Sequence, residues 1–106
     1  MGTKRNPSTF DCYAKAEPDE PLFVLLGRDP MAGLTVAVWR RLRDGLCRMG
    51  PHNLQDAEQI EEAEAVMRAM EMYARDKGKD LQRAQEIFED MILDCAAMIH
   101  AERAKA

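Results

Sequence analysis

The sequence predicts an all-α protein, and three observations carry this prediction. The 106 residues are rich in Ala, Glu, Met and Arg, which favour helices. Apolar residues in the second half recur at alternating spacings of three and four, as on one side of a helix. Only one short run, residues 22–26, has the apolar density of a buried strand, and a lone strand has no partner for a ladder. We expect residues 1–106 to form a single helical domain with a small core.

The first 21 residues are polar and punctuated by prolines. We expect residues 1–9 to be disordered and the stretch "FDCYAKA" to form a turn or a single helical turn. Periodicity alone leaves helix and strand open for the apolar run at residues 22–26. The lack of a second strand-like run favours a short buried helix from Asp19 to Gly27. If Phe23 is buried there, its replacement by Ala costs about 3 to 5 kcal/mol.

The next helix has a well-marked beginning and end. Asp29 is placed to cap the free backbone N–H groups, and Pro30 suits the first helical position, where its missing N–H costs nothing. Gly50-Pro51 predicts that the helix ends near Met49. Its apolar positions step at helical spacing: Leu34, Val38, Leu42, Leu46 and Met49.

Two more apolar seams predict two further helices. Asn53 is a good cap for the first, and Asp56 adds negative charge to its first turn. The connecting stretch "RDKGKD" predicts an antiparallel helical hairpin. One long helix is the alternative, because Gly78 inside a helix would cost only ~1 kcal/mol. The first seam is Ile60, Ala63, Met67, Met70 and Ala74, and the second is Leu81, Ala84, Phe88, Met91, Cys95 and Met98.

The last predicted helix is apolar on more than one side, because Ile87, Ile92 and Ile99 lie beside its seam. Such a helix must be covered from several directions. A single copy of this length has too little surface to provide that cover. We therefore expect a helical homo-oligomer. Ile92→Glu would split it if Ile92 faces a neighbouring subunit and would unfold the protein if Ile92 faces the core of its own chain.

The net charge of -4 is unevenly distributed along the chain. Residues 1–53 carry eight Lys/Arg and six Asp/Glu, a net +2, whereas residues 54–106 carry seven and thirteen, a net -6. Within the first half, residues 28–48 have a local balance of +3. The basic helix is either neutralised by acidic helices, inside the fold or across a subunit interface, or it presents an anion-binding surface.

No catalytic or cofactor-binding motif occurs in the chain. It lacks a nucleophile elbow, a phosphate-binding glycine loop and a zinc-protease helix, so we expect no enzymatic activity and no cofactor. The longest apolar run is too short to span a bilayer, and the amino terminus lacks a signal-peptide core. These features predict a cytoplasmic protein that does not contact the membrane.

Metal binding is not expected either. Cys12, Cys47 and Cys95 lie too far apart for a zinc or redox motif, and we interpret them as reduced and mostly buried. The acids of "EQIEEAE", which include Glu58, Glu61 and Glu62, are at helical spacing and are interpreted as a solvated helix face rather than a divalent-cation site.

Two stretches, "FDCYAKAEPDEPLFVLLGRDPMAGLTVAVW" and "EEAEAVMRAMEMYA", together resemble a pattern in small uncharacterised proteins of tailed phages and prophages. The shared elements are a Cys-Tyr pair, Pro-Asp-Glu-Pro, an apolar run, Arg-Asp and a helix bearing Trp. The resemblance covers about Phe10 to Ala74. The chain departs from it at Pro30-Met31-Ala32-Gly33 and in its longer tail beyond Gly78. The resemblance implies a phage origin and a noncatalytic counter-defence role in the host bacterium.

Three functional hypotheses follow. The first is a sponge that sequesters a small phosphate-bearing nucleotide, an immune signalling molecule, in a pocket formed by the apolar run, the arginines and a neighbouring subunit. The second is a protein-binding inhibitor of a host defence complex, of anti-CRISPR or nucleic-acid-mimicking type, which the acidic second half favours. The third is a structural or morphogenetic phage component. Nucleic acid itself is not an expected partner.

The candidate ligand-binding residues surround the apolar run and the following helix. A helix start offers N–H donors to an anion, and Arg28 supplies a fork for phosphate. A capping carboxylate at Asp29 competes with that anion, so the alternative is that these charges only satisfy local backbone groups or pair with Glu20 and Asp19. Aromatic rings are candidates for stacking on a base. The full set is Tyr13, Glu20, Arg28, Asp29, Trp39 and Arg43.

Overall fold

The structure, a computed structural model, describes residues 2–7, 12–49 and 54–105. In these ranges all regular structure is helical, which confirms the all-α prediction. The helices are α1 (Cys12–Lys15), α2 (Ala32–Met49), α3 (Leu54–Asp76) and α4 (Leu81–Ala104). The predicted boundary signals Gly50-Pro51 and Asn53, and the side chains of Cys12, Cys47 and Asp56, lie outside the described part of the chain.

Two tight turns and one helical turn precede the apolar run. The Asn6 amide donates to Thr3 Oγ1 at 3.0 Å, which closes the first turn. α1 is a single helical turn, as the stretch "FDCYAKA" predicts. In the second turn the Glu20 amide donates to the Glu17 carbonyl at 3.1 Å, while the Glu17 amide donates to Glu20 Oε1 at 3.0 Å. The disorder expected for residues 1–9 stays a prediction.

The short helix predicted from Asp19 to Gly27 is wrong. Residues 20–26 adopt neither helix nor strand, and a turn follows in which the Asp29 amide donates to the Leu26 carbonyl at 3.0 Å. A helix this short is stable only if it buries an apolar side, and in this run only Leu25 is half-buried while the other four side chains are exposed. Pro21 also restricts the residue before it to non-helical backbone.

α2 begins two residues later than the sequence suggests, and the turn before it, rather than its N-cap, is formed by Asp29. Its Oδ1 accepts the Met31 amide at 2.8 Å, and its carbonyl accepts the Ala32 amide at 3.0 Å. Pro30 therefore lies in the turn that leads into the helix. The Thr35 hydroxyl donates to the Met31 carbonyl at 2.8 Å, and the same carbonyl accepts the Thr35 amide at 2.9 Å.

The core lies between α2 and α3, which pack along each other extensively. Small side chains let the two backbones come close. At Gly33, an added Cβ would stand 2.7 Å from Glu71 Cγ, so a larger residue would require the Glu71 side chain to move. The buried hydrophobic residues are Ala32, Val36, Ile60, Ala63, Ala74 and Ala84, and none of the described large side chains is fully buried. This core is thin.

Ion pairs border the α2–α3 contact. Arg40 reaches across to Glu64 at 3.3 Å, and Arg68 approaches the same carboxylate at 2.8 Å from one turn away. Both Arg40 and Glu64 remain over a third exposed, so solvent limits the pair to about 1 kcal/mol at most. Part of the positive charge of α2 is therefore neutralised inside the fold.

α3 and α4 are separate helices, which excludes the single long helix. Gly78 has φ +74°, the left-handed conformation that glycine adopts without strain. The Lys79 amide donates to the Ala74 carbonyl at 3.0 Å and the Gly78 amide to the Arg75 carbonyl at 2.9 Å, the two bonds of a Schellman motif. Asp80 then caps α4 by accepting the Arg83 amide at 2.9 Å. Antiparallel packing stays a prediction, because α4 meets α3 in few places.

α4 is the least covered element of the fold. Every residue from Glu89 to Lys105 is exposed, Cys95 included, so the expectation of a buried Cys95 is wrong. The chain exposes 8817 Å², whereas a compact monomer of 12.0 kDa exposes about 6,000 Å². Its radius of gyration is 15.3 Å, against about 13 Å for a compact domain of this length. One copy leaves much apolar surface uncovered.

Two glycine substitutions are expected to change stability in opposite directions. Gly78→Ala forces a left-handed alanine and should cost about 1 to 2 kcal/mol. Gly45 lies inside α2 with open space around it, so Gly45→Ala should stabilise by about 0.5 to 1 kcal/mol. Melting temperatures of the two variants check this pair. If Gly45→Ala instead lowers the melting temperature, residue 45 contacts a neighbouring copy of the chain.

Candidate binding surfaces

The apolar segment, residues 22–26, is presented at the surface. Phe23 is 85% exposed and Val24 69%, and Leu22 and Leu26 are exposed by about half. Within the described residues, the amides of residues 22–25 make no backbone hydrogen bond. The segment is attached at its end by Gly27, which lies against α3, because a Cβ there would sit 3.8 Å from Met70 Cγ and Tyr73 Cβ.

The charged residues beside this segment are held by local bonds. Glu20 accepts the Glu17 amide through its side chain, and Asp29 accepts the Met31 amide. Asp29 thus occupies an N–H group at the start of α2 that a phosphate would need. Arg28 is exposed in the turn between these two acids. The arrangement matches the local-backbone alternative for Glu20 and Asp29 and leaves Arg28 accessible to solvent.

The remaining predicted site residues lie in different places. Tyr13 is 78% exposed in α1. Trp39 and Arg43 are one turn apart on α2, where Trp39 is 41% exposed and Arg43 is half-buried. Of the six candidates, only Trp39 lines either of the two cavities described below.

An open apolar groove, which we call the α2–α4 groove, runs between these helices. Its volume is about 420 Å³, and almost all of its lining is apolar. The two walls carry large side chains that one chain leaves partly exposed. The α2 wall contains Met31, Thr35, Val38, Trp39 and Leu42, and the α4 wall contains Ile87, Phe88, Met91, Ile92 and Cys95.

The apolar side of α4 continues beyond the groove. Residues spaced by three and four form one stripe along the helix, and its outer members Met98 and Ile99 are 60% and 47% exposed. Leu93 lies on the opposite side of α4 and is 79% exposed. The stripe, called the α4 stripe below, consists of Phe88, Met91, Ile92, Cys95, Met98 and Ile99.

Sequence reasoning named Trp39 as a candidate residue but did not predict the groove that it lines. The available signal was the predicted seam of α2, whose members Leu42 and Leu46 are 64% and 61% exposed. These residues face away from α3, toward which Ala32 and Val36 point instead. Five apolar positions at helical spacing are shared between two sides of α2, so the spacing alone does not tell which side is covered.

A second, smaller cavity of about 220 Å³ is polar. It brings together the start of α2, the end of α3 and the start of α4, with Arg75 and Glu71 both in its lining. Opposite charges in one small cavity leave it without a preference for anions. This cavity therefore offers no phosphate site, and its full lining is Pro30, Leu34, Glu71, Arg75, Leu81, Gln82 and Gln85.

No group of three or more metal-ligating side chains occurs among the residues that the structure describes. Glu58 and Glu61 are exposed on α3, as expected for a solvated face, whereas Glu62 is half-buried and does not belong to that face. None of the helices in the described ranges is both long and apolar enough to cross a bilayer.

Comparison with known proteins adds no relative. No protein-family model matches the chain, and neither curated proteins nor solved structures give a match. The resemblance to phage proteins therefore stays a prediction, and the function has to be argued from the surfaces themselves.

Proposed function

We propose that the chain is a noncatalytic binding protein that sequesters a host protein through its apolar segment. The observation that carries this proposal is the exposure of the segment, at 85% for Phe23 and 69% for Val24, in a chain whose buried core is small. Clustered exposed apolar side chains in a soluble protein mark an interaction site. The resemblance to phage proteins makes the target a component of a host defence complex.

A protein partner suits this segment for two reasons. Its large side chains fit hydrophobic pockets, which anchor most protein interfaces. The amides of residues 22–25, which make no backbone hydrogen bond within the described part of the chain, can also pair with backbone groups of a partner, as peptides do when they add to a sheet edge. Arg28, exposed at one end, would contribute a polar contact at the rim of the interface.

Nucleotide sequestration is the second candidate, and the exposed aromatic rings favour it. Tyr13 at 78% and Phe23 at 85% exposure offer surfaces on which bases stack. Asp29 already occupies an amide at the start of α2, so phosphate recognition would depend on Arg28. The exposed aromatic rings and Arg28 can contact the same nucleotide only if a second copy of the chain completes the pocket.

Self-association is part of the proposal. The exposed surface area of the chain exceeds that of a compact monomer by about 2,800 Å². This excess is larger than the roughly 800 Å² that each partner buries in a standard interface. The structural and morphogenetic alternative differs only in the size of the assembly, which light scattering reports directly.

The apolar segment is tested by Phe23→Ala and Arg28→Ala in bacteria whose defence systems restrict phage. Both side chains are exposed, so each variant should fold normally, with a change of at most about 1 kcal/mol. We expect the wild-type chain to restore plaque formation and both variants to lose at least tenfold of that activity, since a charge-assisted contact contributes about 1.5 to 3 kcal/mol. Leu93→Ala, equally exposed on α4, is the matched control.

A thermal-shift screen separates the two partner classes. Mono-, di-, cyclic and ADP-ribose-type nucleotides are added to the purified chain. A nucleotide at a hundred times its dissociation constant stabilises by about 2.7 kcal/mol, a shift of many degrees in a domain of this size. Restored plaques without any nucleotide shift support a protein target. Full activity of both Phe23→Ala and Arg28→Ala would remove the apolar segment from the binding surface.

A further inference from the structure

We propose that two copies of this chain pair through antiparallel α4 helices, with the two-fold axis beside Cys95 and each α4 lying in the α2–α4 groove of the other copy. The inference rests on the proposed self-association and specifies its geometry. Three independent features of the described residues support it: the symmetry of the α4 stripe, the charge distribution along α4, and the area available in the groove.

The α4 stripe is symmetric about Cys95. Met91 stands four residues before Cys95 and Ile99 four after it, and Ile92 and Met98 stand three before and three after. A two-fold interface brings each residue of a patch against its counterpart from the other copy, so the patch must be complementary to itself. In the antiparallel pair, Met91 meets Ile99 of the partner subunit, and Ile92 meets Met98 of the partner subunit.

The charges of α4 select the antiparallel direction. Residues 81–94 contain one Arg and four acidic residues, a net -3, whereas residues 95–105 contain one Arg, one Lys and one Glu, a net +1 with neutral His100. Antiparallel pairing brings the acidic half of one helix to the basic half of the other. A parallel pair would place the two -3 halves side by side, which is repulsive.

The groove supplies the area that a helix pair lacks. Residues 87–103 span about 25 Å, and the strip along which two helices touch is about 10 Å wide. The contact area of two α4 helices alone is therefore well below the roughly 800 Å² per partner of a standard interface. Trp39 and Leu42 form the opposite wall of the groove and are 41% and 64% exposed. A partner helix in the groove covers both walls at once, and symmetry repeats this contact in the other copy.

The groove also fits the chemistry of this occupant. Its lining is almost purely apolar, so an occupant must present a continuous apolar side and keep its charges out of the groove. The α4 stripe meets this requirement, because the acids Glu89, Asp90 and Asp94 lie outside the narrow sector that the stripe occupies.

Disulfide mapping tests the pairing. In a chain whose three cysteines are replaced by Ser, Met91→Cys and Ile99→Cys are introduced singly, each chain carrying a different tag. Cysteines bridge only when their Cα atoms are within about 7 Å, whereas two copies of one position would be offset by about 12 Å along the antiparallel pair. Mild oxidation of the mixture should therefore give mainly the mixed dimer, and each chain alone should give little.

Light scattering of the cysteine-free parent and of both variants accompanies the oxidation. A dimeric or larger mass with the mixed disulfide supports the antiparallel pair. Self-linking of Met91→Cys overturns it in favour of parallel pairing. An oligomer without either disulfide places the interface on another surface and overturns the geometry while self-association survives. A 12.0 kDa monomer at micromolar concentration overturns both. The plaque assay reads the apolar segment separately, so these failures are distinguishable from failure of the proposed function.

Discussion

Ile60→Ala is expected to lower the free energy of unfolding by about 2 to 5 kcal/mol. Ile60 is 9% exposed and has the largest side chain among the buried hydrophobic residues that the structure describes, the rest being Val36 and four alanines. Removing three carbons leaves a cavity that the surrounding alanines cannot fill, because an alanine side chain is a single methyl group that cannot extend into the space. Since small domains have a total stability of about 5 to 15 kcal/mol, the loss is a large fraction of it.

Chemical denaturation followed by helical circular dichroism measures this effect, at one protein concentration because association adds to the apparent stability. Phe23→Ala is the control. The larger side chain is removed, yet Phe23 is 85% exposed, so the expected change is within about 0.5 kcal/mol. A Phe23→Ala chain as unstable as Ile60→Ala would mean that the apolar segment is buried against another copy.

The helices were predictable because their signals are local. Asp29 forms the turn that leads into α2, and the connection "RDKGKD" breaks the helix at Gly78, where the left-handed backbone favours glycine. The seam of α3 was also correct, since Ile60, Ala63 and Ala74 are buried. Capping and turn formation depend on a few neighbouring residues, so the sequence alone specifies them.

The apolar segment was not predictable in the same way. Its composition, with Phe23 and Val24 in the middle, is that of a buried element. Whether such a run is buried depends on whether another element offers a surface. In one copy Gly27 lies against α3, whereas Phe23 and Val24 stay exposed. The same limitation applies to Arg28 and Asp29. A basic residue beside a helix start suggests anion binding. The Asp29 carboxylate, however, accepts the Met31 amide, and this bond depends on a backbone conformation that the residue types do not reveal.

For α4, sequence and structure lead to the same physical argument. The sequence places apolar residues on too many sides of the helix for one copy to cover, and the structure leaves every residue from Glu89 to Lys105 exposed. The sequence could not indicate which residues form the α2 wall of the α2–α4 groove. Trp39 and Leu42 belong to a helix far away in the chain, and only the fold brings them beside Ile92.

Ile92→Glu is expected to dissociate the proposed dimer while leaving its helices formed. In the antiparallel pair Ile92 packs against Met98 of the partner subunit, so the carboxyl group enters an apolar interface. Burying a polar group without a partner costs at least about 2 kcal/mol. Two-fold symmetry places this penalty in the interface twice, and about 4 kcal/mol in total raises the dissociation constant by nearly three orders of magnitude.

Light scattering after gel filtration over a range of concentrations measures the dissociation, and circular dichroism confirms that the chain remains helical. Leu93→Glu is the matched control, because the neighbouring residue is 79% exposed on the opposite side of α4. Its mass should equal that of the wild type. Ile92 is itself 38% exposed in one copy, so a glutamate there reaches water once the partner has left, and the monomer should stay folded. If Leu93→Glu dissociates the assembly and Ile92→Glu does not, the contact lies on the other side of α4 and the proposed pairing is wrong.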